Sequence, residues 1–168
     1  APLFPWADGT PGDPAKAVPR LTRWTFDLSK NTDDYQWERL HDVACEFPRL
    51  DERRTGLGYR YGYMACDSNP AFKVGGFNGI GRYDHETGKL DVYDVGDACA
   101  TNEPVFVPRS ASAAEGEGYL LANVYDDNRK ASHLVILDAE NVSDGPLATA
   151  YLDHRVPFGF HGNWCPAV

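Results

Sequence analysis

NGIGRYDHETGKLDVYDVG, residues 78–96, reads as a strand, a tight turn and a returning strand. The first strand ends at Asp84, the turn His85-Glu86-Thr87 closes on Gly88, and the second strand follows at once. An aspartate in that place can bond the backbone of its own turn. The same text stands at RWTFD, ending at Asp27, and at VILD, ending at Asp138, intervals of 57 and 54 residues. Around these copies lie further short β-branched and aromatic runs: 21–29, 35–47, 58–66, 104–108, 118–126, 132–138 and 148–153. Clusters of Gly, Asp, Asn and Ser separate them, and no segment carries a sustained helical stripe, so the chain is predicted to be all-β with very little helix. A period of about 55 residues, four strands per repeat, suits a propeller blade. Spacing alone leaves a sandwich or a barrel open, and three blades are too few to close a ring.

The composition narrows the function classes. Sixteen Lys+Arg against 25 Asp+Glu give a net charge of −9, with no basic cluster, which speaks against a nucleic-acid partner. A hydrophobic share of 42%, aromatics at 12%, is too high for a disordered chain. No apolar run is long enough to span a bilayer. Residues 1–18 form a Pro-rich, irregular lead-in, and 19–168 hold the strands. Residue 1 is alanine, the only methionine is Met64, and the opening residues do not read as a signal peptide, so a processed product or a piece of a longer protein is expected. Cys45, Cys66, Cys99 and Cys165 form no CxxC pair and are expected as free, mostly buried thiols of a cytoplasmic protein.

Familiar catalytic signatures are missing: there is no GxGxxG after a strand, no GxxxxGK[ST], no HExxH and no GxSxG. His85 in its turn and His133 at a strand start are expected in solvent; His41 and His154 read as polar surface positions. His161 differs, because VPFGFHGNW surrounds it with apolar and aromatic residues, where a buried ring needs hydrogen bonds or a metal. Glu46 in CEFPRLD and Glu103 in NEPVFVP each adjoin an apolar strand and a proline. Both could simply end strands; turned inward, either would need a cationic or N–H partner, such as the outer N–H of a metal-bound imidazole.

Three long motifs raise the functional reading: LTRWTFDLS…CEFPRLDERRTGLGYRYGY, EPVFVPR, and EGYLLANVYDDNRKASHLVILDAENVSDGPLATAYLDHRVPFGFHGNW. In this order, from about residue 19 onward, they resemble the carotenoid cleavage oxygenase family, its stilbene-cleaving bacterial members in particular. The resemblance implies a seven-bladed β-propeller with Fe(II) on its axis, held by four histidines. His161 matches the last of those ligands, and Glu46 and Glu103 match glutamates that hydrogen-bond ligand histidines. Dioxygen and an apolar conjugated alkene are then the expected reactants. Phe158, Phe160 and Trp164 are candidate pocket residues, with packing the simpler role for each.

The chain also departs from the family. Its other three ligand histidines lie upstream of EFPRLD, and none of His41, His85, His133 or His154 matches them. The expectation is therefore about three C-terminal blades of an incomplete ring, inactive alone, completed by missing N-terminal blades or a second polypeptide. A non-catalytic β-rich interaction module is the alternative. A stilbene and an (apo)carotenoid both remain open as substrate.

Overall fold

A computed structural model of the chain describes residues 5–13, 17–69 and 76–166, and it is built almost wholly of antiparallel strands. Among the described residues the only helical pieces are two single 3₁₀ turns, Glu52–Arg54 and Val142–Asp144. The chain divides into residues 1–44 and 45–168. In the first unit β1 (Thr22–Phe26) pairs with β2 (Tyr35–Arg39), and the lead-in holds no strand among its described residues. The run predicted at 35–47 thus breaks in two, because Leu40–Ala44 leaves the ladder and a new sheet starts at Cys45.

The second unit holds two sheets. One runs β3 (Cys45–Leu50), β4 (Tyr61–Cys66), β5 (Gly79–Asp84), β6 (Leu90–Asp94) in chain order. The other contains β7 (Cys99–Thr101), β8 (Val105–Pro108), β9 (Gly118–Asp126), β10 (Ala131–Asp138) and β11 (Pro146–Tyr151), with β9 pairing β7, β8 and β10. The short β7 has no counterpart in the sequence reading. Leu120, Ala122 and Val124 alternate inward along β9, as a half-buried strand requires. They meet Ile80, Val135, Leu137 and Val142 in one core shared by the two sheets. At its centre the rings of Tyr63 and Phe106 stack 5.4 Å apart. Among the described residues two full sheets and one hairpin stand where the spacing predicts about three blades.

The repeat itself has a structural meaning. Asp84 is the last residue of β5, Asp138 the last residue of β10, and Asp27 directly follows β1. Each accepts the N–H two residues on: Ser29 to Asp27 at 3.0 Å, Glu86 to Asp84 at 3.0 Å, Glu140 to Asp138 at 2.9 Å. Asp84 also takes both ends of the Arg60 guanidinium, which holds its carboxyl well below the usual carboxylate range. Gly88, at φ 69°, closes that turn with a left-handed residue.

All four cysteines are free; Cys45 and Cys66 are buried opposite each other on β3 and β4, Cys99 is half-buried, and Cys165 is exposed. Burial pushes the Cys66 thiol up to about 12, so it packs as a small apolar group. Two histidine expectations change. His85 is half-buried, wedged edge-on between Tyr59 and Tyr83 at 5.0 and 4.9 Å. His133 is half-buried against Tyr151, its Nδ1 enclosed with no partner among the described residues. In both cases a cross-strand or turn aromatic covers the ring that a turn or a strand start was expected to expose. Burial first, and Arg129 second, push His133 below the ordinary imidazole range. Its neutral form therefore stabilises the fold above the unfolded value of about 6.5, and that contribution is lost as pH falls through the lower folded value. The urea midpoint should drop between pH 7 and pH 5 by more in the parent than in His133→Phe; equal slopes would remove His133 as the cause.

No helix among the described residues is long and apolar enough to cross a membrane.

Candidate metal centre

The site is built on β3, the β7–β8 connection and the C-terminal tail. In β3 the pairings Glu46–Ala65 and Arg49–Tyr63 show three residues advancing on one strand for two on the other. That extra residue is a bulge, and Phe47 accommodates it at φ 56°, a left-handed conformation unusual for a bulky side chain. A regular strand would send residues three apart to opposite faces; the bulge returns Arg49 to the face of Glu46. Arg49 then shares a side with Tyr63, toward the second sheet.

Glu103 lies just ahead of β8, its side chain only 5% exposed. Its two oxygens serve three donors. Oε1 lies 3.2 Å from Nδ1 of His161. Oε2 accepts the Gly162 N–H at 2.9 Å and Nη1 of Arg49 at 2.8 Å. An ionised carboxylate only accepts, so in the neutral imidazole the proton sits on Nδ1 and the lone pair on Nε2. The His161 side chain is 77% exposed, with the Phe47 ring edge-on at 6.1 Å. The apolar flanks in the sequence suggested burial; here the tail runs over the surface and only the Glu103 end of the residue is covered.

Arg49 extends the network. Nη1 also donates to the Gly162 carbonyl at 2.9 Å, and Nη2 to Oδ1 of Asn163 at 3.3 Å and to Glu52. Asn163 donates back to Glu52 at 3.2 Å, while its Oδ1 accepts the Trp164 N–H at 2.9 Å. The need for a cation beside an inward Glu103 was legible in the sequence. That the cation is Arg49, three residues beyond the singled-out Glu46, was not, because only the bulge brings it to this side.

Beside the imidazole lies a cavity of about 320 Å³, walled by Val105, Leu121, Leu134, Phe160 and Trp164. Phe158 lies elsewhere, in a shallow depression with Ala100, Tyr125 and Ser132, its ring under Arg155 at 5.3 Å. The structure thus gathers His161, Glu103 and Phe160 and leaves Phe158 apart. Glu46 is exposed on β3, opposite Ala65, and its side chain has no hydrogen-bond partner among the described residues. His41 accepts the Val43 N–H at 3.1 Å and His154 pairs with Asp153 at 2.7 Å. Among the described residues no group of three or more His, Cys, Asp and Glu side chains is placed to hold a metal. The donor set fits one imidazole ligand contributed to a larger set, with its outer nitrogen fixed by a carboxylate, an arrangement found behind metal-bound histidines in general.

The family model described as retinal pigment epithelial membrane protein matches residues 4–166. Isoeugenol monooxygenase of Pseudomonas nitroreducens is 43% identical over 97% of this chain and 36% of its own length. Lignostilbene-alpha,beta-dioxygenase isozyme III of Sphingomonas paucimobilis is also 43% identical, over 99% of this chain and 36% of its own. The crystal structure of Pseudomonas brassicacearum lignostilbene dioxygenase superposes with a TM-score of 0.88 at 35% identity, covering 98% of this chain and 36% of that one. The chain spans about a third of the length of these proteins, so its two sheets and hairpin are part of a propeller.

Proposed function

Because the chain belongs to the carotenoid cleavage oxygenase family, matched over residues 4–166, we propose that it is the C-terminal part of an Fe(II)-dependent oxygenase. In this reading residues 19–168 belong to the propeller domain. The reaction is oxidative scission of a conjugated carbon–carbon double bond. The C=C and O=O bonds are exchanged for two C=O bonds, and no outside reductant is consumed. A phenolic stilbene is the preferred substrate class over an apocarotenoid. The relatives at 43% identity are named for isoeugenol and lignostilbene, both phenols carrying a conjugated alkene.

One observation carries the proposal: a buried carboxylate holds Nδ1 of His161, and the other face of the ring is open. His161 would hold the metal through Nε2. Glu103 would fix its tautomer and raise its basicity. Glu46, exposed at the start of the β3 bulge, would do the same for a ligand histidine supplied from outside this chain. Ferrous iron, when bound, supplies the centre at which dioxygen is activated. The remaining work belongs to the protein: Leu121, Leu134, Phe160 and Trp164 offer an apolar wall against which a conjugated substrate can lie. Phe158 would reach the substrate only from its separate depression. A lone imidazole binds Fe(II) weakly in water, so the chain by itself would be inactive. The upstream blades, or a second chain carrying the other histidines, would complete the site. A cytoplasmic setting belongs to the same reading and is supported by four free thiols.

The test is iron analysis of the complete protein after anaerobic ferrous loading, followed by paired assays with a hydroxylated stilbene and an apocarotenal under oxygen. Stoichiometric iron and two aldehydes from the stilbene are expected. Absence of bound iron would overturn the oxygenase reading in favour of a non-catalytic β-rich module; cleavage of the apocarotenal alone would overturn the substrate class.

A further inference from the structure

We propose that Arg49 is the positioning residue for His161: its guanidinium fixes both the orientation of Glu103 and the path of the main chain at Gly162, and thereby the direction in which the imidazole presents Nε2. The iron arm of this inference rests on the function proposed above; the positioning itself does not.

The argument begins from exposure. A side chain 77% exposed has no walls to hold it, and Phe47 meets the ring only with an edge. The aim of His161 must therefore come from its backbone and from Glu103. Both are held by the same cation. Arg49 is itself only 16% exposed and reaches four acceptors on three separate stretches of chain: Glu103, the Gly162 carbonyl, Asn163 and Glu52. By occupying Oε2 of Glu103 it leaves Oε1 for Nδ1 of His161. By taking the Gly162 carbonyl, while Glu103 takes the Gly162 N–H, it pins the residue next to the histidine from both sides. Only a planar fork with five donors can serve so many acceptors at once; a lysine ammonium supplies one compact charge.

Two variants, Arg49→Met and Arg49→Lys, separate positioning from charge. In the iron-free complete protein, nitrogen NMR of His161 should show a single Nδ1–H tautomer, and the Gly162 amide should be protected from exchange. In Arg49→Met the ring should become a mixture of tautomers and the Gly162 amide should exchange faster, while β9–β10 shifts stay those of the parent. Arg49→Lys keeps the charge and should fold even if the methionine variant does not; it should still lose Gly162 protection. In the same protein, Fe(II) affinity should fall about tenfold or more in both variants. Parent-like behaviour of Arg49→Lys in both readouts would overturn the fork as the cause, and an unchanged tautomer in a folded Arg49→Met would overturn the positioning role altogether. If the parent itself binds no iron, the function proposal fails, and the tautomer and exchange data still decide Arg49.

Discussion

Replacing His161 with alanine is expected to abolish iron binding and alkene cleavage in the complete protein while leaving its unfolding nearly unchanged. The ring is mostly in solvent, and Glu103 keeps the Gly162 N–H and Arg49 when the imidazole is gone. The lost hydrogen bond is worth about 1 kcal/mol at most. Glu103→Ala should behave differently. It removes the acceptor for three donors and leaves a nearly buried guanidinium without its buried carboxylate partner, a loss of about 3 kcal/mol. Iron affinity should fall with it, by about 10- to 100-fold. Urea denaturation of both variants beside anaerobic iron titration separates the two. If His161→Ala retained iron, the residue would leave the site; if Glu103→Ala unfolded like the parent, the carboxylate would not be the hub its contacts describe.

Gly118→Val should give the largest purely structural effect. A Cβ at this position would lie 2.4 Å from the Val107 carbonyl oxygen and 2.7 Å from the Phe106 ring. Both neighbours are fixed: β8 is paired to β9 along Val105–Pro108, and Phe106 is stacked on the fully buried Tyr63. Relief requires separating β8 from β9 or displacing the central ring pair, and overpacking of this kind costs about 3 kcal/mol. For a chain of this size that is roughly 10 °C in Tm. A folded variant with unchanged midpoint would mean that the β8 ladder can shift freely, and with it the loop that carries Glu103.

Much of the fold was legible. Strand runs at 118–126 and 132–138 match β9 and β10 closely because alternation and strand-ending aspartates act locally. The repeat of Asp27, Asp84 and Asp138 marks equivalent turns because each caps its own hairpin. β7 was not legible, since Cys99–Thr101 is too short to show a period, and the break after Arg39 is not announced by any proline or glycine. In the candidate site, His161 and Glu103 emerge from motif resemblance and meet in space. Arg49, Glu52 and Asn163 could not be found that way, because they meet only through a bulge and a tail folded back across 113 residues. The solvated character expected of His85 and His133 failed for the same reason: the covering aromatics are neighbours in the sheet, or across a turn, and not obvious from adjacent sequence.

The wiring of Glu103 also sets a timetable. Its partners come from β3 and from the C-terminal tail, so the contacts close loops of 54 and 58 residues, and the Arg49–Gly162 bond a longer one still. Contacts of such separation are the slow ones in folding, and on the ribosome His161 emerges after both sheets have been synthesised. Of the three residues, the imidazole is synthesised last. On the proposed reading, metal uptake would then report that the tail has docked.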